Sequence, residues 1–177
     1  MNLNQIARIL VLGFGCTGLA LTACASGDLP QAGQKAPAVS LPSQDGSTVS
    51  LKSFHGKWVV PYFYPKDNTP GCTIEAHNFQ RDLAKYEEKK AVIVGVSVDS
   101  SDSHKDFCAK QSLTFKLLAD TDKKAVAEYG SLRDTGVAAR NTFLIDPKGK
   151  IVKVWVNVKP ADHSEEVLAA ISEAQKK

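Results

Sequence analysis

Residues 62–72 read Tyr-Phe-Tyr-Pro-Lys-Asp-Asn-Thr-Pro-Gly-Cys, an order of residue types that could do chemistry at its last member. Apolar, β-prone residues lead into Pro65, a short polar loop follows, and Thr69-Pro70 opens a helical pattern. Cys72 thus falls in the first turn of a helix, where unsatisfied N–H groups and the positive end of the dipole favour an anion. The thiolate is the form of cysteine that attacks electrophiles. One more thiol lies further along the same stretch of chain, Cys108, 36 residues on. A plain structural disulfide between the two is one reading of the pair, and redox chemistry at Cys72 is the other. The helix-start context favours redox chemistry.

The elements that must hold these residues follow from periodicity. Residues 38–41 and 48–51 flank Asp45-Gly46 and predict an opening hairpin. Residues 57–64 predict a buried strand, although Pro61 inside it cannot donate to a sheet ladder. A helix capped by Thr69 is expected to run from Pro70 to about Glu88, with Phe79, Leu83 and Tyr86 on one face. Residues 91–98 form a continuous apolar run, typical of a strand covered on both faces. Helix is expected over 103–111, strand over 115–118 and helix again over 123–129. Strands over 141–145 and 151–156 flank the turn residues Asp146-Pro147-Lys148-Gly149, and an amphipathic helix over 164–174 follows. This order predicts an α/β domain with a mixed sheet covered by helices on both faces.

The first residues read as a targeting segment. Residues 1–23 carry one basic residue, Arg8, no acid, and an apolar run broken by small residues. Leu21-Thr22-Ala23-Cys24 resembles a bacterial lipobox, in which the cysteine is lipidated and becomes the new N-terminus. Ordinary cleavage after Ala25 competes, because Ala23-x-Ala25 also fits a small-residue site; Leu21 favours lipidation. Cys16 follows Phe14-Gly15, a poor lipobox, and reads as a discarded signal residue. Cleavage after residue 23 leaves 154 of 177 residues: a tether over 24–34 and one domain over 35–177. The formal charge falls from +3 to +2 with the loss of Arg8, and no basic run exceeds a pair such as the terminal Lys176-Lys177. Nucleic-acid binding has no support in that balance.

Pro65-x-x-x-Thr69-x-x-Cys72 resembles the signature of the peroxiredoxins, and its flanks look like the bacterioferritin-comigratory (Q-type) branch. Similar stretches recur at 94–99, 115–120 and 142–146, so the resemblance spans about residues 36–171. It implies a thioredoxin-like fold of peroxiredoxin type and a thiol-dependent peroxidase needing no cofactor or metal. Its substrates would be hydrogen peroxide and organic hydroperoxides. By the same resemblance Cys72 is the peroxidatic nucleophile and Arg140, just before the Thr142-Phe143-Leu144-Ile145-Asp146 strand, supplies the cation beside it. Thr69 would orient the peroxide and Pro65 would shield the thiolate. Many Q-type relatives carry a resolving cysteine five residues after the peroxidatic one; His77 stands there in this chain. Cys108 matches the family's other resolving position, on the next helix, which implies a Cys72–Cys108 disulfide recycled by a thioredoxin-like reductant. A monomer or weak dimer is expected, anchored by lipid on the periplasmic side of a membrane, the outer one by preference since Ala25 rather than Asp follows Cys24.

The alternative class is a non-enzymatic thiol or metal-delivery lipoprotein on a thioredoxin-like scaffold. The absence of a Cys-x-x-Cys or Cys-x-x-x-Cys pair argues against it. His77 beside Cys72 supplies too few ligands for zinc and reads as a helix-surface residue. Glu75 matches the family's Gly-Cys-Thr-x-Glu, His163 is expected to help cap the last helix, and His55 and His104 show no evident partners.

Overall fold

The computed structural model describes residues 27–176. Strands β1 (Ser40–Pro42) and β2 (Thr48–Ser50) pair antiparallel across the Asp45-Gly46 turn, and one 3₁₀ turn, Leu51–Phe54, follows. The chain continues through β3 (Trp58–Phe63), α1 (Pro70–Arg81), α2 (Leu83–Glu88), β4 (Ala91–Ser97) and α3 (Ser101–Gln111). It then forms β5 (Lys116–Ala119), α4 (Lys124–Glu128), β6 (Asn141–Ile145), β7 (Ile151–Trp155) and α5 (His163–Ala174). The sheet order is β5-β4-β3-β6-β7. Strands β3, β4 and β5 run parallel, while β6 opposes β3 and β7 opposes β6. This is the expected α/β, thioredoxin-like architecture, a central mixed sheet flanked by helices.

Alternation along β3 builds two cores. Val60, Tyr62 and Tyr64 pack with Phe79, Tyr86, Phe107, Val167 and Ile171 from α1, α2, α3 and α5. Val59 and Phe63 face the other way, onto Val126, Tyr129, Phe143 and Ile151. Both cysteines of the described residues, Cys72 and Cys108, belong to the first core.

Pro61 does lie in the central strand, and the ladder explains how it is tolerated. Trp58 and Tyr64 donate their N–H groups toward the β4 side, to Lys90 O and Val96 O. Even-numbered residues of β3 therefore donate toward β4, and the odd position 61 would donate toward β6. Pairing with β6 runs through Val59↔Ile145, skips residues 60 and 61, and resumes at Tyr62↔Thr142. The parallel pairing with β4 is continuous through Pro61↔Val94. The missing donor costs one rung on one side only.

The single helix expected over 70–88 is two. Asp82 breaks it, with φ −95° and ψ 5°, because its buried carboxylate is drawn toward α5, where Ser164 Oγ donates to Oδ2 at 2.8 Å. Arg81 and Lys85 also donate to that carboxylate. Residues 27–34, expected as part of a free tether, instead lie on the domain. Gly27 N donates to Ala127 O at 3.1 Å, Pro30 is buried, and Gly33 N donates to Ile151 O at 2.7 Å. Gly130 (φ +57°) permits this close approach, since a Cβ there would meet Leu29 Cα at 2.6 Å. Residues 1–26, with Cys16 and Cys24, lie outside the described residues.

Tyr62 reaches beneath the first core because β4 has no side chain opposite it. A Cβ on Gly95 would stand 2.5 Å from Leu117 Cδ2 and 2.9 Å from Tyr62 Cζ. Gly95→Ala is expected to cost about 1–3 kcal/mol through overpacking, read as a lower urea midpoint at unchanged slope. An unchanged midpoint would show that Tyr62 and Leu117 yield without cost.

Candidate active site

Helix α1 begins where sequence chemistry places it, with Pro70 at its first position and Cys72 in its first turn. Thr69 occupies the N-cap position, and its carbonyl accepts from Thr73 N at 2.9 Å. Its side chain does not cap, contrary to expectation. The hydroxyl turns back to donate to Lys66 O at 3.0 Å, which closes the preceding loop. Asn68 adopts φ +58° in that loop, a conformation asparagine tolerates better than most residues. Pro65 and Thr69 are half-buried and Cys72 is 1% exposed.

Arg140 reaches the sulfur from the strand next to β3. It immediately precedes β6, and because β6 lies antiparallel against β3, that entrance lies beside the loop leading to α1. Its Nη2 donates to Cys72 Sγ at 3.3 Å, and its Nη1 donates to Glu75 Oε2. Gly71 permits the contact: a Cβ at that position would stand 3.3 Å from Nη2. One guanidinium therefore serves both a sulfur and a carboxyl on the same helix face, three residues apart.

Glu75 is 1% exposed, and its Oε1 has no hydrogen-bond partner among the described residues. Burial pushes its pKa up to about 7, outweighing the downward pull of Arg140. Burial also pushes the Cys108 thiol up to about 11, helped by the negative charge of Asp67 and opposed by Lys116. Cys108 sits in the second half of α3, 8% exposed, and both thiols are free.

A second polar cluster, absent from the sequence reading, ties α3 to the loop before α1. Tyr64 Oη donates to Asp67 Oδ1 at 2.8 Å, and Ser103 Oγ donates to Asp67 Oδ2 at 2.7 Å. His104 Nδ1 stands 2.9 Å from Asp67 Oδ2, and its Nε2 stands 3.1 Å from Leu118 O. Asp67 N donates to Asp99 Oδ2 at 3.0 Å. Against the upward push of its own burial, His104, Ser103 and Tyr64 hold the Asp67 carboxyl below its ordinary range. His104 thus has partners on both ring nitrogens. The one sequence signal was a histidine one turn before Cys108, on the face of α3 that carries Phe107 and Cys108.

His163, expected as a cap, is the buried first residue of α5. Its Nε2 lies 2.8 Å from Thr142 Oγ1, and burial pushes its pKa down to about 4. His77 is exposed, as expected. Among the described residues no three His, Cys, Asp or Glu side chains are grouped so as to hold a metal.

The chain matches the profile of the AhpC/TSA family over residues 32–154. Peroxiredoxin Bcp of Bacillus subtilis is 40% identical over 152 residues, spanning 82% of this chain and 97% of that protein. The bacterioferritin comigratory protein of Xanthomonas campestris, whose structures with a trapped intermediate and ligand address alkyl peroxide reduction, superposes with a TM-score of 0.76. It is 37% identical and the match covers 83% of this chain and all of that one. A cysteine-to-serine variant of Xylella fastidiosa PrxQ superposes with a TM-score of 0.79 at 34% identity, covering 84% and 99% of the two chains.

The Glu75 environment makes stability depend on pH. Its folded-state pKa, about 7, lies above the ordinary 4.5, so the native fold holds this proton more tightly than the unfolded chain. That contribution is complete below about pH 4.5 and is lost as pH rises through about 7. Glu75→Gln, whose carbonyl can still accept from Arg140, is expected to exceed the parent in stability by about 1–3 kcal/mol at pH 8. The gain should vanish at pH 4 in urea titrations; an equal difference at both values would show that the carboxyl titrates normally.

Proposed function

The chain belongs to the AhpC/TSA family and is a thiol-dependent peroxidase of its peroxiredoxin Bcp/PrxQ branch, and from that premise we propose that Cys72 is the peroxidatic thiol and Cys108 the resolving one. The contact of Arg140 Nη2 with Cys72 Sγ carries the assignment. A guanidinium and the start of α1 both favour negative charge on that sulfur. The Cys72 thiolate attacks one oxygen of a peroxide, the O–O bond breaks, and the other oxygen leaves as water or an alcohol once protonated. Cys72 becomes a sulfenic acid. Arg140 lies where the developing charge is shared between sulfur and oxygen.

Thr69 has its hydroxyl hydrogen committed to Lys66 O, so its oxygen meets a peroxide as an acceptor and orients the O–H of the substrate. Pro65, between β3 and this loop, lacks an N–H and limits water near the sulfur. Hydrogen peroxide and organic hydroperoxides are the substrates. The Cys108 thiol then attacks the sulfenic sulfur, a disulfide forms, and water leaves. A thiol near 11 is almost wholly protonated at neutral pH, so Cys108 must leave its buried position for this step. A thioredoxin-type reductant returns both thiols. Family membership decides against a non-enzymatic delivery scaffold.

The sequence before residue 27 supports an exported, lipid-anchored form, with Cys24 as the acceptor and the domain on the periplasmic side of the outer membrane. The lipobox residues Leu21-Thr22-Ala23-Cys24 carry that reading. Residues 27–34 packed on the domain would leave only a short span between lipid and fold. The domain over 35–177 then works as a monomer or weak dimer.

Cys72→Ser is expected to reduce peroxide consumption to background, because a serine hydroxyl is almost wholly protonated. Cys108→Ser should complete one turnover, stall as sulfenic acid and pass to the sulfinic form at high peroxide. Parent-rate turnover by Cys72→Ser, or full reductant-coupled turnover by Cys108→Ser, would remove the respective assignment.

Expressed in a bacterial host, the full chain should yield a membrane-bound product with a lipidated Cys24, lost in Cys24→Ser. Mass spectrometry finding an unmodified N-terminus at Ser26 would establish cleavage after Ala25 instead.

A further inference from the structure

We propose that the buried cluster of Tyr64, Asp67, Ser103 and His104 is a hinge that stays closed while Cys72 and Cys108 join. The inference rests on the assignment of Cys108 as resolving thiol. Disulfide formation requires the two Cα atoms within about 7 Å, with Cys108 in the second half of α3 and Cys72 in the first turn of α1. Both thiols are free and buried on separate helices, so in this proposal local opening is the route by which they meet, and the cluster sets where it stops. Asp67 stands five residues before Cys72, and His104 stands four residues before Cys108. Both cysteines lie on the C-terminal side of one cross-link between their segments.

The contacts on the two sides of that cross-link differ in strength. His104 is fully buried and Asp67 nearly so, and their cluster includes a charged acceptor with three side-chain partners. Exposing such a cluster leaves polar groups unpaired and is costly. Beyond it, residues 68–71 are exposed or half-buried, and of residues 105–107 only Phe107 is fully buried. These segments are cheaper to open than the charged cluster. Five extended residues reach about 17 Å and four about 13 Å, enough for the sulfurs to meet with the hinge shut.

The hinge shortens the search. With it closed, about nine mobile residues separate the cysteines; without it, the paired ends of β3 at Phe63 and β4 at Ser97 are the next fixed points, and about 20 residues are mobile. Loop-closure entropy makes the shorter ring about threefold easier to close. In the closing step the Cys108 sulfur bonds to the Cys72 sulfur, the Cys72 S–O bond breaks, and the hydroxyl leaves as water with the thiol proton. Cys72 is a positioning target here, and His104 touches neither peroxide nor sulfenic acid.

The test uses the full-length protein and its His104→Gln and Ser103→Ala variants. Stopped-flow mixing with hydrogen peroxide and peptide mapping follow sulfenic acid and disulfide separately, and the dithiol–disulfide potential is measured against glutathione. His104→Gln is expected to slow ring closure about threefold and to raise sulfinic Cys72 at fixed peroxide. Its potential should rise by about 15 mV, the same factor converted for a two-electron couple. Ser103→Ala, which removes one hydrogen bond and keeps the ring, should move both readings the same way by less. A merely stabilising cluster that opens during the reaction would shift the potential downward, because its loss would destabilise only the dithiol fold. An unchanged or lowered potential, or closure as fast as in the parent, overturns the hinge. If His104→Gln fails to fold, the Ser103→Ala readings decide by the same signs. Absence of any Cys72–Cys108 disulfide in the unaltered protein overturns the resolving assignment, and the hinge with it.

Discussion

One guanidinium shared between a sulfur and a buried carboxyl is the constraint around which the site is built. Arg140 and Cys72 are 68 residues apart in sequence, and only the insertion of β6 beside β3 brings them together. The demand runs both ways. A half-buried cation against α1 needs acceptors, and Glu75 and Cys72 supply them from one helix face. Gly71 leaves the guanidinium room that a Cβ, 3.3 Å from Nη2, would crowd, and Thr69 and Pro70 must start the helix where they do for Cys72 to be in range. The two acceptors take different N–H groups of the guanidinium, Nη1 for Glu75 and Nη2 for Cys72, so both are served at once. The orphaned Oε1 and the upward push of burial both mark this carboxyl as the less securely satisfied partner.

What could be read from the sequence were the local features. The start of α1 at Pro70, the apolar β4, the hairpin at Asp45-Gly46 and the two cysteines of the domain all depend on neighbours a few residues away. Arg140 was reachable only through resemblance, because nothing in its immediate surroundings distinguishes it from an arginine at any strand entrance. The break at Asp82 was not legible, since its cause is Ser164, 82 residues on. Asp67 and His104 were missed for the same reason: their pairing spans 37 residues and joins a loop to a helix. Thr69 shows a subtler failure. Its type correctly marks a helix boundary, yet its hydroxyl satisfies the loop behind rather than the helix ahead.

The segment before β1 was misread because composition alone separates linkers poorly from straps. Small and polar residues suit both, and only Gly27 and Gly130 show how closely the two backbones meet. Pro61 was correctly seen as an anomaly. Its resolution required the donor parity of β3, which is a property of the assembled sheet.

Asp82 carries one more implication. A helix of uniform sequence frays as a unit, because each broken turn loosens the next. Here α1 ends in its own bonds, with Asp82 N donating to Asn78 O, and α2 begins again beyond a carboxylate fastened to α5. Tyr86 in α2 is fully buried and donates to Ser164 O at 2.8 Å. The interruption therefore acts as a firebreak: any fraying that starts at Cys72 would meet a boundary at the end of the twelve residues of α1, short of the aromatic side chain that α2 buries.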